Sequence, residues 1–119
     1  MIIYLDMDGT LVDFVSQVNK YGFWRKDRPD KVDWDKVMEP RFWAELEWMP
    51  GAEEAFLKLQ RMEKEGAFLL YILSSIDFEE GRKGKRQWIL QHTDFPLEKV
   101  IFCLEPEDKA KWLIDDRKK

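Results

Sequence analysis

The chain opens with the apolar run Met1-Ile2-Ile3-Tyr4-Leu5 and continues as Asp6-Met7-Asp8-Gly9-Thr10-Leu11. The apolar run predicts a buried strand, and two acids stand where that strand ends, beside a glycine that can turn the chain. Carboxylates at the carboxyl end of a parallel strand lie where open α/β sheets bind ligands. Two carboxylates so close together repel each other unless a cation such as Mg²⁺ neutralises them. The simpler interpretation is a strand followed by an Asp-Gly turn.

The composition fits one small domain in a reducing compartment. The 119 residues are 45% hydrophobic and carry a formal net charge of −4, which argues against a general surface for long nucleic acid or for anionic membranes. The single cysteine, Cys103, lies in an apolar run and is expected to be a buried thiol without a disulfide. The first acids come too early for a signal peptide, and no apolar run approaches membrane-spanning length. We therefore expect a cytoplasmic protein.

Strands and helices alternate along most of the chain. Helical spacing of apolar residues predicts helices over residues 11–21, 52–64 and 85–92. Continuous apolar runs predict strands over residues 67–73 and 100–104, and a very short strand is expected at Leu113-Ile114. This alternation predicts an α/β domain with a parallel, doubly wound sheet.

Residues 22–50 interrupt the alternation. They are rich in aromatic and charged residues and are too long for an ordinary connection, so one interpretation is a lid or a binding loop. The other interpretation is that their Trp and Phe side chains fill a small core. General burial tendencies favour the core interpretation.

Polar side chains occur at or beyond the ends of all four predicted strands. In chain order they are Asp6 and Asp8, then Ser74 and Ser75, then Lys109, and finally Asp115 and Asp116. Because the carboxyl ends of parallel strands share one edge of a sheet, these four carboxylates, two hydroxyls and one ammonium should converge. Such a set suits phosphoryl transfer, which depends on positioning and on electrostatic stabilisation.

These motifs resemble those of the haloacid dehalogenase (HAD) superfamily of phosphohydrolases and, within it, those of the 5′(3′)-deoxyribonucleotidase family. The superfamily likeness rests on Asp6-x-Asp8-Gly9-Thr10, Ser74, Asp108-Lys109 and Leu113-Ile114-Asp115-Asp116. The narrower likeness adds Leu11-Val12-Asp13-Phe14, Phe42-Trp43, Met49-Pro50-Gly51-Ala52, Tyr71-Ile72-Leu73-Ser74-Ser75, Lys85-Arg86-Gln87-Trp88 and Arg117. The resemblance implies a three-layer, doubly wound (Rossmann-like) HAD fold over residues 1–119, with a small helical cap inserted over residues 15–50.

The resemblance also implies catalytic roles. Asp6 would be the nucleophile that becomes an aspartyl-phosphate, and Asp8 the general acid and then the general base. Ser74 would hydrogen-bond the transferring phosphoryl oxygens. Lys109, with Lys111 as the alternative, would neutralise the phosphate and the crowded carboxylates.

Binding roles follow from the same resemblance. Mg²⁺ is the implied cofactor, held by Asp6, the backbone carbonyl of Asp8, Asp115 and Asp116. Lys85 matches a lysine that helps to hold the substrate phosphate. The residues that would approach the nucleoside are Phe14, Phe42, Trp43, Ser75 and Arg117.

Three functions remain open on the sequence. The leading one is a Mg²⁺-dependent phosphoric monoester hydrolase, 5′-nucleotidase-like, acting on a small phosphomonoester such as a (deoxy)nucleoside monophosphate. The second is a phosphatase for another phosphorylated substrate, and the third is a weakly active or inactive binding protein with the same fold. The chain ends soon after Leu113-Ile114, so that strand would form an exposed sheet edge, and a homodimer covering it is a further expectation.

Overall fold

The computed structural model describes residues 1–103, which form an α/β fold. Its three strands are β1 (Ile2–Asp6), β2 (Leu69–Ser75) and β3 (Val100–Cys103). Its helices are α1 (Phe14–Tyr21), α2 (Pro40–Ala44), α3 (Ala52–Lys64) and α4 (Glu79–His92), and a short 3₁₀ turn, Leu97–Lys99, precedes β3. The predicted alternation of strands and helices is therefore confirmed for this part of the chain. The predicted strand Leu113-Ile114, and with it the expected dimer edge, lies outside the described residues.

The three strands form a parallel sheet in the order β1-β2-β3. Leu70, Ile72 and Leu73 of β2 are buried, as expected for the middle strand of a parallel sheet. The apolar run placed the end of this strand too early, because Ser74 and Ser75 belong to β2 and pair with β3. Both serines still stand at the carboxyl end, where the polar edge was predicted.

Helix α1 begins three residues later than the spacing of apolar residues predicted. Leu11 and Val12 are part of a tight turn instead, in which their backbone N–H groups donate to the carbonyl oxygen of Met7 at 2.9 and 3.1 Å. Asp13 then caps the helix by accepting the backbone N–H of Ser16 at 3.0 Å. Asp13 itself has non-helical backbone angles, φ of −93° and ψ of 84°, so the helix starts at residue 14.

The face that α1 turns toward the core includes a polar residue. Val15 is 55% exposed, whereas Gln17 and Val18 are buried. The side-chain amide of Gln17 donates to the carbonyl oxygen of Phe42 at 2.8 Å, so a buried polar contact joins α1 to α2. Apolar spacing alone does not identify this face, because a glutamine with its hydrogen bond satisfied can occupy a core position.

Helix α4 begins six residues before the predicted start at residue 85. Its first turns contain Gly81 and Gly84, which lower the intrinsic helix propensity, and for this reason the sequence did not predict these turns as helix. Both glycines are buried in the structure. Helix α3 has the predicted bounds, and Gly66 with φ of 86° lies two residues beyond its end.

The aromatic residues of the 22–50 segment that fill the core are those of α2. Phe42 and Trp43 are buried together with Val37 and Leu46, so the core interpretation is confirmed for these two rings. Antiparallel bridges join Val12 to Trp48 and Trp24 to Val32, which close the segment back on the fold. Within residues 1–103, no helix combines the length and the apolar character needed to cross a membrane.

Candidate active site

The end of β1 presents two carboxylates on a short, well-bonded turn. Asp6 is the last residue of β1, and its Oδ1 accepts the backbone N–H of Met7 at 2.9 Å. Gly9, with φ of 76°, turns the chain, and its N–H donates to the carbonyl oxygen of Val12 at 2.9 Å. The turn leaves the side chain of Asp8 one-third exposed, at 33%.

Lys85 joins the ends of two strands to helix α4. Its side chain is completely buried, and its Nζ donates to Asp8 Oδ2 at 2.9 Å and to Ser74 Oγ at 2.6 Å. The same ammonium lies 5.0 Å from the centre of the Trp43 ring. A buried ammonium is tolerated only when it is paired and hydrogen-bonded, and these three neighbours meet that requirement.

Two buried oxygen atoms at this edge have no hydrogen-bond partner among residues 1–103. They are Oδ1 of Asp8 and the hydroxyl oxygen of Ser75. Buried polar atoms nearly always find a partner, and Asp8 Oδ1 belongs to the carboxylate that already binds the buried ammonium through its other oxygen, so a polar ligand can bind at this carboxylate.

The donor set fits a hard divalent cation in part. The carboxylate of Asp6 and the backbone carbonyl of Asp8 are oxygen donors of the kind that Mg²⁺ prefers. Among residues 1–103, however, no three His, Cys, Asp or Glu side chains lie close enough together to hold a metal ion. The predicted remaining ligands, Asp115 and Asp116, lie outside the described residues, as do Lys109, Lys111 and Arg117.

An aromatic stack leads from the buried lysine toward the surface. Phe14 stacks between Trp43 and Trp34, with ring-centre distances of 5.4 and 5.7 Å and interplanar angles of 18° and 16°. Trp34 is 51% exposed, whereas Trp43 and Phe42 are buried. Phe42 lies against Tyr21 and Phe23, at 5.7 and 5.8 Å.

The structure thus brings together three of the predicted site residues by direct contact: Asp8, Ser74 and Lys85. Asp6 and Ser75 stand at the ends of the same two strands. Trp34 was not among the predicted site residues, although it stands between two aspartates in a charged segment, where an exposed aromatic ring is unusual. The pairing of Lys85 with Asp8 was not predicted either.

The sequence has a relative that covers almost all of its length. It is 30% identical over 122 aligned positions to a protein of Vibrio phage KVP40 that bears the name "Putative 5'(3')-deoxyribonucleotidase". The similarity spans 99% of this chain and 67% of the phage protein. The chain belongs to the 5′(3′)-deoxyribonucleotidase family. No model of a protein family matches it.

Membership of the 5′(3′)-deoxyribonucleotidase family agrees with the narrower resemblance found in the sequence motifs. Because nearly the whole chain is aligned with the phage protein, the aligned region includes Asp6, Asp8, Ser74 and Lys85.

Proposed function

We propose that this chain is a Mg²⁺-dependent phosphatase that hydrolyses a small phosphomonoester, with a (deoxy)nucleoside monophosphate as substrate and with the chemistry of the haloacid dehalogenase superfamily. The observation that carries the proposal is the buried ammonium of Lys85, held by Asp8 and Ser74 at the edge where β1 and β2 end. The name of the phage relative supports the nucleotide as the substrate class.

In the proposed first step, a carboxylate oxygen of Asp6 attacks the phosphorus atom of the ester. The bond between phosphorus and the ester oxygen breaks, and Asp8, protonated beforehand, gives its proton to that leaving oxygen. The products of this step are the alcohol and an aspartyl-phosphate on Asp6.

In the second step, water attacks the phosphorus atom while Asp8 takes up one of its protons. The bond between phosphorus and Asp6 breaks, which releases inorganic phosphate and regenerates both carboxyl groups. The side chain of Asp8 is 33% exposed, so water can reach it in the second step, and Lys85 fixes one of its oxygens at 2.9 Å.

Lys85 and Ser74 provide the electrostatic part of the site. An ammonium and a hydroxyl already fixed in place can hydrogen-bond phosphoryl oxygens without reorganising during the reaction. Lys109, or Lys111 in its place, would supply a second cation.

Mg²⁺, when bound, would offset the negative charge of the carboxylates and of the phosphate. It would be held by Asp6, the backbone carbonyl of Asp8, Asp115 and Asp116.

On the nucleoside side, Phe14 and the exposed Trp34 offer aromatic surface. The buried rings of Trp43 and Phe42 pack against Phe14. Ser75 and Arg117 would complete that side.

The direct test is a panel of phosphomonoesters assayed for phosphate release with Mg²⁺ and with a chelator. The panel contains 5′- and 3′-deoxynucleoside monophosphates, a sugar phosphate and p-nitrophenyl phosphate. We expect Mg²⁺-dependent hydrolysis, with the highest kcat/KM for a nucleotide. Hydrolysis of the sugar phosphate in preference to every nucleotide would contradict the substrate class, and no hydrolysis at all would contradict the reaction.

A further inference from the structure

A glycine next to Lys85 lies where helix α4 closely approaches helix α2. Gly84 is buried in the interior of α4, and a Cβ atom added to it would lie 2.3 Å from the carbonyl oxygen of Pro40 and 2.6 Å from Cβ of Trp43. Real Cβ atoms essentially never come within 3.0 Å of such neighbours, and ordinary contacts begin near 3.4 Å. The neighbours belong to α2, and the nearer one is backbone that cannot rotate away.

The backbone conformation does not require glycine at this position. The positive-φ residues among 1–103 are Gly9, Gly22, Gly51 and Gly66. Glycine in a helix interior costs about 1 kcal/mol relative to alanine. The absence of a side chain at Gly84 is therefore accounted for by the space that α2 occupies.

Further contacts hold the same two parts of the chain together. One turn beyond Gly84, the indole N–H of Trp88 donates to the carbonyl oxygen of Leu46, just after α2, at 2.7 Å. At the beginning of α4, the ring of Phe78 lies 5.8 Å from the ring of Trp43. Lys85 lies between these contacts, with its ammonium over Trp43.

We propose that Gly84 is a positioning residue: it lets α2 dock against α4 as one unit, and this approach sets where the Lys85 ammonium meets Asp8, Ser74 and Trp43. The 22–50 segment then does not open from α4 as a separate lid. The catalytic consequence of this placement rests on the phosphatase function proposed above, whereas the placement itself does not.

The test compares Gly84→Ala with Gly81→Ala, the same substitution one turn earlier in α4. A Cβ at Gly81 would lie 2.1 Å from Ile76 Cδ1 and 2.7 Å from Phe78 Cε2, which are side-chain ends that can move. Gly84→Ala must instead separate α2 from α4 by about 1 Å, the difference between 2.3 Å and an ordinary contact of 3.4 Å. Both variants gain the same helix propensity, so the comparison separates a clash with the backbone of α2 from a clash with side-chain ends that can move.

The first measurement is independent of activity. The NMR signal of the Lys85 Cε methylene is assigned by its absence in Lys85→Met, and the nearby ring of Trp43 should shift it away from the signals of exposed lysines. We expect Gly84→Ala to move this signal toward the exposed lysines and Gly81→Ala to leave it in place. Equal shifts in the two variants, or no shift in Gly84→Ala, would overturn the proposal.

The second measurement is a double-mutant cycle on kcat/KM. We expect Gly84→Ala to lower kcat/KM by about 10- to 100-fold, since a displacement near 1 Å has an effect of this size. In the Lys85→Met background it should change kcat/KM by less than about threefold, because the group that it positions is already gone. A full loss in that background would show that Gly84 acts without Lys85 and would overturn the proposal.

Wild-type protein provides a third measurement in case Gly84→Ala does not fold. The indole N–H groups of Trp43 and Trp88 are both buried donors, to Val37 and to Leu46. If α2 and α4 form one unit, both should exchange with solvent through the same opening over a range of denaturant concentrations. Faster exchange of the Trp43 indole N–H through a smaller opening would contradict the docking of α2 against α4.

The two proposals can fail separately. If the wild type releases no phosphate but the Lys85 signal moves in Gly84→Ala, the phosphatase function is refuted and the positioning role of Gly84 is retained.

Discussion

Lys85 is the residue on which the site depends most strongly. It is fully buried, whereas Asp8, its ion-pair partner, is 33% exposed. The desolvation of such a pair is therefore unequal, and the ammonium carries most of it. Burying a cation lowers the stability of the fold. We propose that Lys85 is nevertheless buried at this edge of the sheet because its ammonium binds an anionic group.

Lys85→Met tests that reason. Methionine fills a similar volume and Asp8 can be hydrated through its exposed part, so we expect the free energy of unfolding to change by no more than about 2 kcal/mol. We expect kcat/KM for a nucleotide to fall by about 100-fold or more, because a charge-assisted contact to the phosphate is lost. Urea unfolding and steady-state kinetics measure the two quantities.

The matched control is Lys83→Met, which makes the same change at an exposed position of the same helix. It should leave kcat/KM within about twofold of the wild-type value, as surface substitutions usually do. A Lys85→Met enzyme as active as this control would show that the buried ammonium has no part in the reaction.

At the scale of the elements, the cap of α1 fixes where the β1 turn ends. The carboxylate of Asp13 accepts the backbone N–H of Ser16 at 3.0 Å and its hydroxyl at 2.7 Å, and these hydrogen bonds lower the pKa of Asp13 below its usual value. A carboxyl group with a lowered folded-state pKa stabilises the fold above its unfolded-state pKa, which is about 3.9. That contribution is lost as the pH falls through the lowered value.

Asp13→Ala should therefore lower the free energy of unfolding by about 1 kcal/mol at neutral pH, and by less near about pH 3 or below. Asp13→Asn is the control, because its side-chain oxygen can still cap Ser16 but does not titrate in this range. Its difference from wild type should come only from the lost charge. Urea unfolding at several pH values measures both variants, and an Asp13→Ala difference that grows on acidification would contradict the assigned cap.

The sequence predicted the elements well where one signal dominated. The apolar run of β2 and the amphipathic pattern of α3 gave both elements, and the strand ends gave Asp6, Asp8 and Ser74 as neighbours. The start of α4 was not predicted, because glycine has a low helix propensity and the helix contains Gly81 and Gly84. The reason for glycine at these positions is the close packing of neighbouring residues against them. Tertiary contact of this kind leaves no local pattern.

The same limit applies to the aromatic residues of the 22–50 segment. Burial tendencies identified Phe42 and Trp43 as core, but only the structure shows that Phe14 stacks between Trp43 and the half-exposed Trp34. The pairing of Lys85 with Asp8 joins residues 77 positions apart, which no spacing rule could anticipate. Residues 104–119 hold the remaining predicted ligands and the predicted lysine.

At the scale of the whole molecule, the net charge of −4 should favour small anionic substrates over long ones. A mononucleotide needs only a few well-placed cations, whereas a long polyanion meets the repulsion of the whole acidic surface. We therefore expect kcat/KM for a 5′-phosphorylated oligonucleotide to be at least about tenfold below that for the mononucleotide at low salt. Added salt should narrow this ratio by screening the repulsion.

This comparison uses one oligonucleotide and the corresponding mononucleotide at several salt concentrations, with phosphate release as the signal. A ratio that widens with added salt would show attraction rather than repulsion, as in proteins that bind nucleic acid through counterion release. Such a result would move the substrate class from nucleotides to nucleic-acid ends.

The proposed function depends above all on Asp6, at the end of β1, acting as the nucleophile. The most direct measurement is phosphate release from a deoxynucleoside monophosphate by Asp6→Asn, beside Asp94→Asn, which makes the same change at an exposed aspartate that accepts a hydrogen bond from Gln60. We predict that Asp6→Asn lowers kcat by at least about 10³-fold while the protein remains folded, and that Asp94→Asn retains wild-type turnover. Wild-type turnover by Asp6→Asn would contradict the proposed mechanism.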